Sequence, residues 1–86
     1  MAWACYSFQR DSQQRYYILD YDVPLDTPPV VHSIYPDYTS AYEQYLILHN
    51  YPAAMAARCA RSKAHWHYAA PLDGRYFTHD GQRLVA

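Results

Sequence analysis

Ala2-Trp3-Ala4-Cys5-Tyr6-Ser7-Phe8-Gln9, then Arg10-Asp11-Ser12-Gln13, then Gln14-Arg15-Tyr16-Tyr17-Ile18-Leu19-Asp20-Tyr21-Asp22 is the stretch whose reading decides the fold. Two runs rich in aromatic and aliphatic residues flank a short polar break, which reads as a β-hairpin with a four-residue loop. In that register Tyr6 opposes Tyr17, Phe8 opposes Arg15 and Ala4 opposes Leu19, and these share a face with Tyr21. The other face carries Trp3, Cys5, Tyr16 and Ile18. A strand pair with one buried and one wet side alternates more sharply than this. Either both faces are covered within the domain or one meets another molecule. Two helices can cover only one face, so Trp3, Tyr16 and Ile18 are expected to form an exposed aromatic surface.

Outward from the hairpin, Val23-Pro24-Leu25-Asp26-Thr27-Pro28-Pro29 is a connector whose prolines cannot donate to a central ladder. Val30–Ile34 follows as a short extended piece. Ser40-Ala41-Tyr42-Glu43 matches a capping box, and a helix runs from there to about His49 with Ala41, Tyr45 and Leu48 on one stripe. Asn50 suits a C-terminal cap and Pro52 the first turn of a second helix. Ala53 to Ser62 is alanine-rich and strongly helical, with Met55 and Cys59 on the inner stripe and Arg58 and Arg61 on the outer. The last third reads as a meander: His65–Ala69, a turn at Pro71-Leu72-Asp73-Gly74, Arg75–His79, and Gln82–Val85 after an Asp80-Gly81 hairpin turn that puts Phe77 opposite Leu84. The expected fold is one α+β domain over residues 1–86, a small antiparallel sheet in ββ-αα-βββ order with two short helices packed on one face.

Composition bounds the function classes. The chain is 51% hydrophobic and 17% charged, which argues against a disordered tail. Eleven tyrosines in 86 residues suit half-buried positions and protein contacts. The net charge of −1 implies no bulk attraction to nucleic acid. It is unevenly spread, however: residues 1–43 hold six acidic and two basic side chains, residues 44–86 five basic and two acidic. Cys5 and Cys59 do not make a disulfide framework. Residues 1–20 show no basic region followed by a long apolar run, and no stretch reaches transmembrane length. A cytoplasmic location without membrane contact is therefore the expectation.

Four constellations in the sequence bear on chemistry. In the meander register His65, His67 and His79 project from one face of adjacent strands, a spacing that could hold zinc, while Trp66, Tyr68, Tyr76 and Val85 fill the other face as core. No acidic or cysteine ligand accompanies the histidines, so no metal is expected. Asp20, Asp22 and Asp26 gather carboxylates without the lysine of a Mg²⁺-dependent nuclease and read as an acidic strand end. Arg58, Arg61 and Lys63 precede Trp66 and could meet phosphate or stack on a base, but three cations are few for that purpose, so direct nucleic-acid binding is not expected. Neither cysteine has a recognisable catalytic context, and Gly74 and Gly81 alone make no phosphate-cradling loop. The chain is not expected to be an enzyme and no cofactor is expected.

The C-terminal Arg75-Tyr76-Phe77-Thr78-His79-Asp80-Gly81-Gln82-Arg83-Leu84-Val85, about an eighth of the chain, has an aromatic strand, an Asp-Gly turn and a basic-then-apolar ending. In this it resembles the tail of a type I-F anti-CRISPR protein, one of the small phage-encoded inhibitors of host defence. The resemblance implies a single non-catalytic domain that works by covering a surface of a larger nucleoprotein complex. It carries over no functional residue. The expected function is a phage or mobile-element inhibitor that binds a protein partner through Trp3, Tyr16, Ile18, Arg58 and Arg61, since Tyr, Trp and Arg dominate interface energetics. A symmetric homodimer is the other fate of such a surface. The alternative from another class is a small nucleic-acid-binding or histidine-ligated metal-binding protein.

Overall fold

The hairpin is present in the computed structural model, which describes residues 5–84, as β1 (Tyr6–Arg10) and β2 (Tyr16–Asp20). Its register differs from the expected one by three residues: Tyr6 faces Asp20, Phe8 faces Ile18 and Arg10 faces Tyr16. The cause is Asp11. Its carboxylate accepts the backbone N–H groups of Gln13 and Arg15, each at 2.9 Å, and its own N–H donates to the Arg15 carbonyl at 3.0 Å. Gln14 takes a left-handed φ of 61° to complete this tighter, later turn. An odd slip exchanges the faces of a strand. Tyr16 and Ile18 therefore join Phe8, while Tyr17 and Leu19 join Ser7 and Gln9.

The sheet has four strands in the order β3-β2-β1-β4. β3 (Val30–Tyr35) pairs antiparallel with β2, with a bulge opposite Ile18 and Leu19. β4 (Ala70–Pro71) pairs parallel with β1, so the sheet is mixed. With two helices, this is a small α+β fold.

Helix α1 (Tyr38–Leu48) begins one turn earlier than the capping-box reading. Asp37 is the N-cap and its carboxylate accepts the Ser40 N–H at 2.9 Å. Ser40 lies inside the first turn. The buried stripe is Ala41, Tyr42 and Leu46, with Tyr45 beside it; Tyr42 and Leu46 take the inward place read for Leu48, which is only half-buried. Asn50 has the left-handed φ of 69° expected of a residue just past a helix end. Helix α2 (Ala53–Arg61) turns Ala56 and Ala60 inward rather than Met55. Fully buried Ala41, Ala56 and Ala60 share one core cluster, and residues this small let the two helices approach closely.

The helices cover the Phe8 face of the sheet. The opposite face is covered too, by residues 72–84. Tyr17, Leu19 and Phe77 form a second buried cluster, with Tyr21, Val31, Leu72 and Tyr76 packed around it. Residues 65–84 are therefore not the expected meander; Val85, read as core, lies outside the described residues. Lys63–His65 is a short 3₁₀ turn. The N–H groups of Tyr76 and Phe77 both donate to the Asp73 carbonyl, and Phe77 bridges to Arg83 rather than Leu84. The Gly81 N–H closes the Asp80-Gly81 turn onto the Thr78 carbonyl at 2.9 Å, with Gly81 at φ 89°. Asp80 is not left-handed, so the loop has three residues rather than two and the register moves by one.

Candidate functional site

A continuous set of rings runs from the sheet to the surface. Phe8, 4% exposed, is its hub. It packs on Tyr16 at 5.8 Å, Tyr38 at 5.4 Å, Tyr42 at 6.0 Å and Tyr45 at 5.6 Å between ring centroids. Tyr38 continues the series outward, lying 5.6 Å from Tyr16 and 4.3 Å from Trp66. Offset and edge-on aromatic pairs of this kind each add roughly 0.5–1.5 kcal/mol beyond the area they bury.

Trp66 ends the series at the surface, 47% exposed. Three contacts hold its ring. Its indole N–H donates to the Ala60 carbonyl at the end of α2, at 3.2 Å. Tyr38 lies against it, and the Lys63 ammonium sits over it at 5.9 Å. Tyr38 is itself fixed: its hydroxyl donates to the His67 carbonyl at 2.8 Å and accepts the His67 N–H. Burial pushes the Tyr38 hydroxyl up to about 12, against the His67 backbone bond, which lowers it. Two residues on, Tyr68 is 72% exposed. Met55, Arg58 and Arg61 follow one another at three-residue steps along the flank of α2 away from Ala56 and Ala60, and all three are exposed. The result is an aromatic platform, an exposed ring held by Tyr38, Lys63 and the end of α2, the helix whose last turn carries the exposed Arg58 and Arg61.

The second polar assembly locks the fold. Asp11 is buried at 4% exposure. Its Oδ2 accepts from Arg15 Nε at 2.7 Å and from the Tyr17 hydroxyl at 3.0 Å. Burial by itself would raise the Asp11 carboxyl, but the bonds from Arg15, Tyr17 and Gln13 outweigh it and hold the carboxyl below its ordinary range. Arg15 also donates to the Asp80 carbonyl, and both the N–H and the hydroxyl of Ser12 donate to the His79 carbonyl at 3.0 and 2.8 Å. The hairpin turn and the Gly81 turn are thereby clasped together. A cavity of about 260 Å³ lies beside the clasp, lined by Arg10, Asp11, Ser12, Pro71, Leu72 and His79. That is below the usual size of a small-molecule site.

The residues expected to bind a partner separate into two groups. Arg58 and Arg61 are exposed, one helical step apart in the last turn of α2. Ile18 has no exposed surface, because the register places it under the helices; it is not an interface residue. Tyr16 is half-buried and spends its ring on Phe8 and Tyr38, so it supports the platform from within. Trp3 lies outside the described residues. Trp66 and Tyr68, read from sequence as core, are on the surface because residues 66–69 do not form a strand. The one local signal for them was the basic run preceding Trp66.

The histidines do not converge. His65 lies in the 3₁₀ turn, His67 stacks on Tyr42 and Tyr45, and His79 joins the clasp. Among the described residues no three or more His, Cys, Asp or Glu side chains are grouped to hold a metal ion, and Asp20, Asp22 and Asp26 do not gather. Among the same residues no helix is long and apolar enough to cross a membrane. Comparison of the chain with protein-family models, with curated proteins and with solved structures finds no match in any of the three.

Proposed function

We propose that this chain is a non-catalytic protein-binding module, an inhibitor of the phage or mobile-element type, that acts by occluding a surface of a larger host-defence complex. The observation that carries the reading is Trp66, a half-exposed tryptophan pre-fixed by Tyr38, Lys63 and the Ala60 carbonyl and bordered by exposed Tyr68. Tryptophan, tyrosine and arginine are the residues on which binding energy concentrates, and an immobilised ring loses little entropy on docking. The proposed interface is Trp66 and Tyr68 with Arg58, Arg61 and Lys63. The ion-paired carboxylates among the described residues, Asp11 and Asp73, are engaged by Arg15 and Arg75, which suits structure rather than acid–base work.

The test is interference. Bacteria with active type I-F CRISPR immunity are challenged with a targeted phage while expressing the chain. Plaquing should rise toward the level on cells lacking the immunity. The double variant Trp66→Ala/Tyr68→Ala should lose this effect, and Tyr68→Ala alone, which removes only an exposed ring, should weaken it without lowering the melting temperature. Unchanged plaquing with the wild-type chain, or full activity of the folded double variant, refutes the proposal.

A further inference from the structure

We propose that the Trp66 platform receives an acidic protein segment, in which Asp or Glu side chains flank an apolar residue that seats on Trp66 and Tyr68; the inference rests on the binding surface proposed above. Between Glu43 and Asp73 the sequence has no acidic residue. Within that interval Arg58, Arg61 and Lys63 are exposed, the arginines in the last turn of α2, whose Ala60 carbonyl accepts the Trp66 indole N–H, and Lys63 over the Trp66 ring. Among the described residues the ion pairs are Arg15–Asp11 and Arg75–Asp73, and neither involves Arg58, Arg61 or Lys63. The acidic residue nearest in the ring series is Asp37, next to Tyr38, and its carboxylate caps α1.

The negative end of the α2 dipole accounts for part of this arrangement, since Arg58 and Arg61 occupy its last turn. It does not account for Lys63, which follows the helix and places its ammonium over the Trp66 ring. An aromatic anchor accompanied by exposed cations is complementary to an apolar side chain accompanied by carboxylates. Arginine in particular pairs with a carboxylate through two parallel hydrogen bonds. A nucleic acid fits less well. Binding through phosphates gains with each charge neutralised, and three cations are few. The six acidic residues of positions 1–43 and the net charge of −1 would also repel a long polyanion.

The experiment uses the full chain labelled with ¹⁵N. The Trp66 indole N–H signal is followed, with the Trp3 signal as internal comparison, while one of three probes is added: a synthetic peptide alternating Glu with Leu and Phe, the same peptide with Lys for Glu, or an oligothymidine. The acidic peptide should move the Trp66 indole signal and the amides of residues 58–68, and the lysine peptide should not. The triple variant Arg58→Gln/Arg61→Gln/Lys63→Gln should bind the acidic peptide about tenfold more weakly, from roughly twofold per exposed charge pair. Salt at about 0.5 M should produce a comparable loss by screening. No movement of these signals, or equal binding by the triple variant at unchanged melting temperature, overturns the inference. Tighter binding of oligothymidine than of the peptide overturns it in favour of phosphate recognition. If the triple variant loses the peptide yet still restores plaquing, the acidic partner is wrong and occlusion stands. If the wild-type chain binds the peptide but does not restore plaquing, occlusion fails and the acidic docking surface stands.

Discussion

Replacing Gly81 with alanine tests whether the clasp between the two turns holds the second core cluster in place. Gly81 has φ 89°, a region that costs an L-residue roughly 1–2 kcal/mol. A Cβ built there would overlap the Tyr17 hydroxyl outright, lie 2.7 Å from Tyr17 Cζ and 3.1 Å from Asp11 Oδ2. Tyr17 is 1% exposed and has no free space into which to retreat. The substitution must therefore break the 3.0 Å bond from Tyr17 to the Asp11 carboxylate, a hydrogen bond to a charged group worth about 1.5–3 kcal/mol. Backbone and hydrogen-bond contributions together come to about 2.5–5 kcal/mol. A domain of this length has a total stability of only about 4–13 kcal/mol. Urea denaturation followed by circular dichroism should show the loss directly, and the melting temperature should fall by roughly 10–40 °C. Repeating Gly81→Ala in the Tyr17→Phe background separates the two contributions. With the hydroxyl gone there is no Tyr17–Asp11 bond left to break, so the cost of Gly81→Ala should fall by about 1.5–3 kcal/mol, leaving the backbone cost and the contact with the ring. A Gly81→Ala cost under about 1 kcal/mol, or the same cost in both backgrounds, would refute the reasoning that the two turns meet through Tyr17 and Asp11.

Phe8→Ala should cost about 3–5 kcal/mol in the same denaturation assay, because Phe8 is buried at the hub of the rings that carry Trp66, and it should also shift the Trp66 indole signal. The Asp11 and Asp73 carboxyls lie below their ordinary pKa in the fold, so they bind protons more weakly than in the unfolded chain. Their stabilisation is present above about pH 4 and is lost as pH falls through the folded values; urea midpoints from pH 7 to pH 2 should fall, and less steeply in Asp11→Asn. Tyr38, pushed up to about 12 by burial, keeps its proton in the fold while the unfolded chain loses it near 10. Stability should therefore be full below pH 10 and decline between about 10 and 12, with a late tyrosinate absorbance step that is absent in Tyr38→Phe.

The hairpin was legible as two aromatic runs about a polar break, both helices as an alanine-rich and a tyrosine-rich segment, and Asn50 and Gly81 as left-handed positions, because each of these depends on residues within a few places of one another. Asp37 as the true cap was within reach of the same local reasoning: it stands three residues before Ser40, the spacing its carboxylate needs. The hairpin register was not. A three-residue difference in register, set by where Asp11 folds back, is invisible to periodicity, yet an odd slip exchanges the strand faces, which is why Ile18 is buried and Tyr16 supports rather than presents.

The amino-acid sequence by itself determined an α+β domain, a surplus of tyrosine, a basic interval around α2 and no recognisable catalytic signature. Only the tertiary structure decided which aromatics are core and which are surface. Residues 65–69 have the composition of a strand, but β1 offers its free edge to no more than Ala70 and Pro71, and the Asp11 clasp draws residues 72–84 across the opposite face. Trp66 and Tyr68 are left outside, beside the cations that precede them. That outcome depends on contacts between residues more than sixty positions apart, such as Ser12 with His79 and Arg15 with Asp80. No local pattern encodes such pairs, because each half of the contact is an ordinary polar turn until the other half arrives.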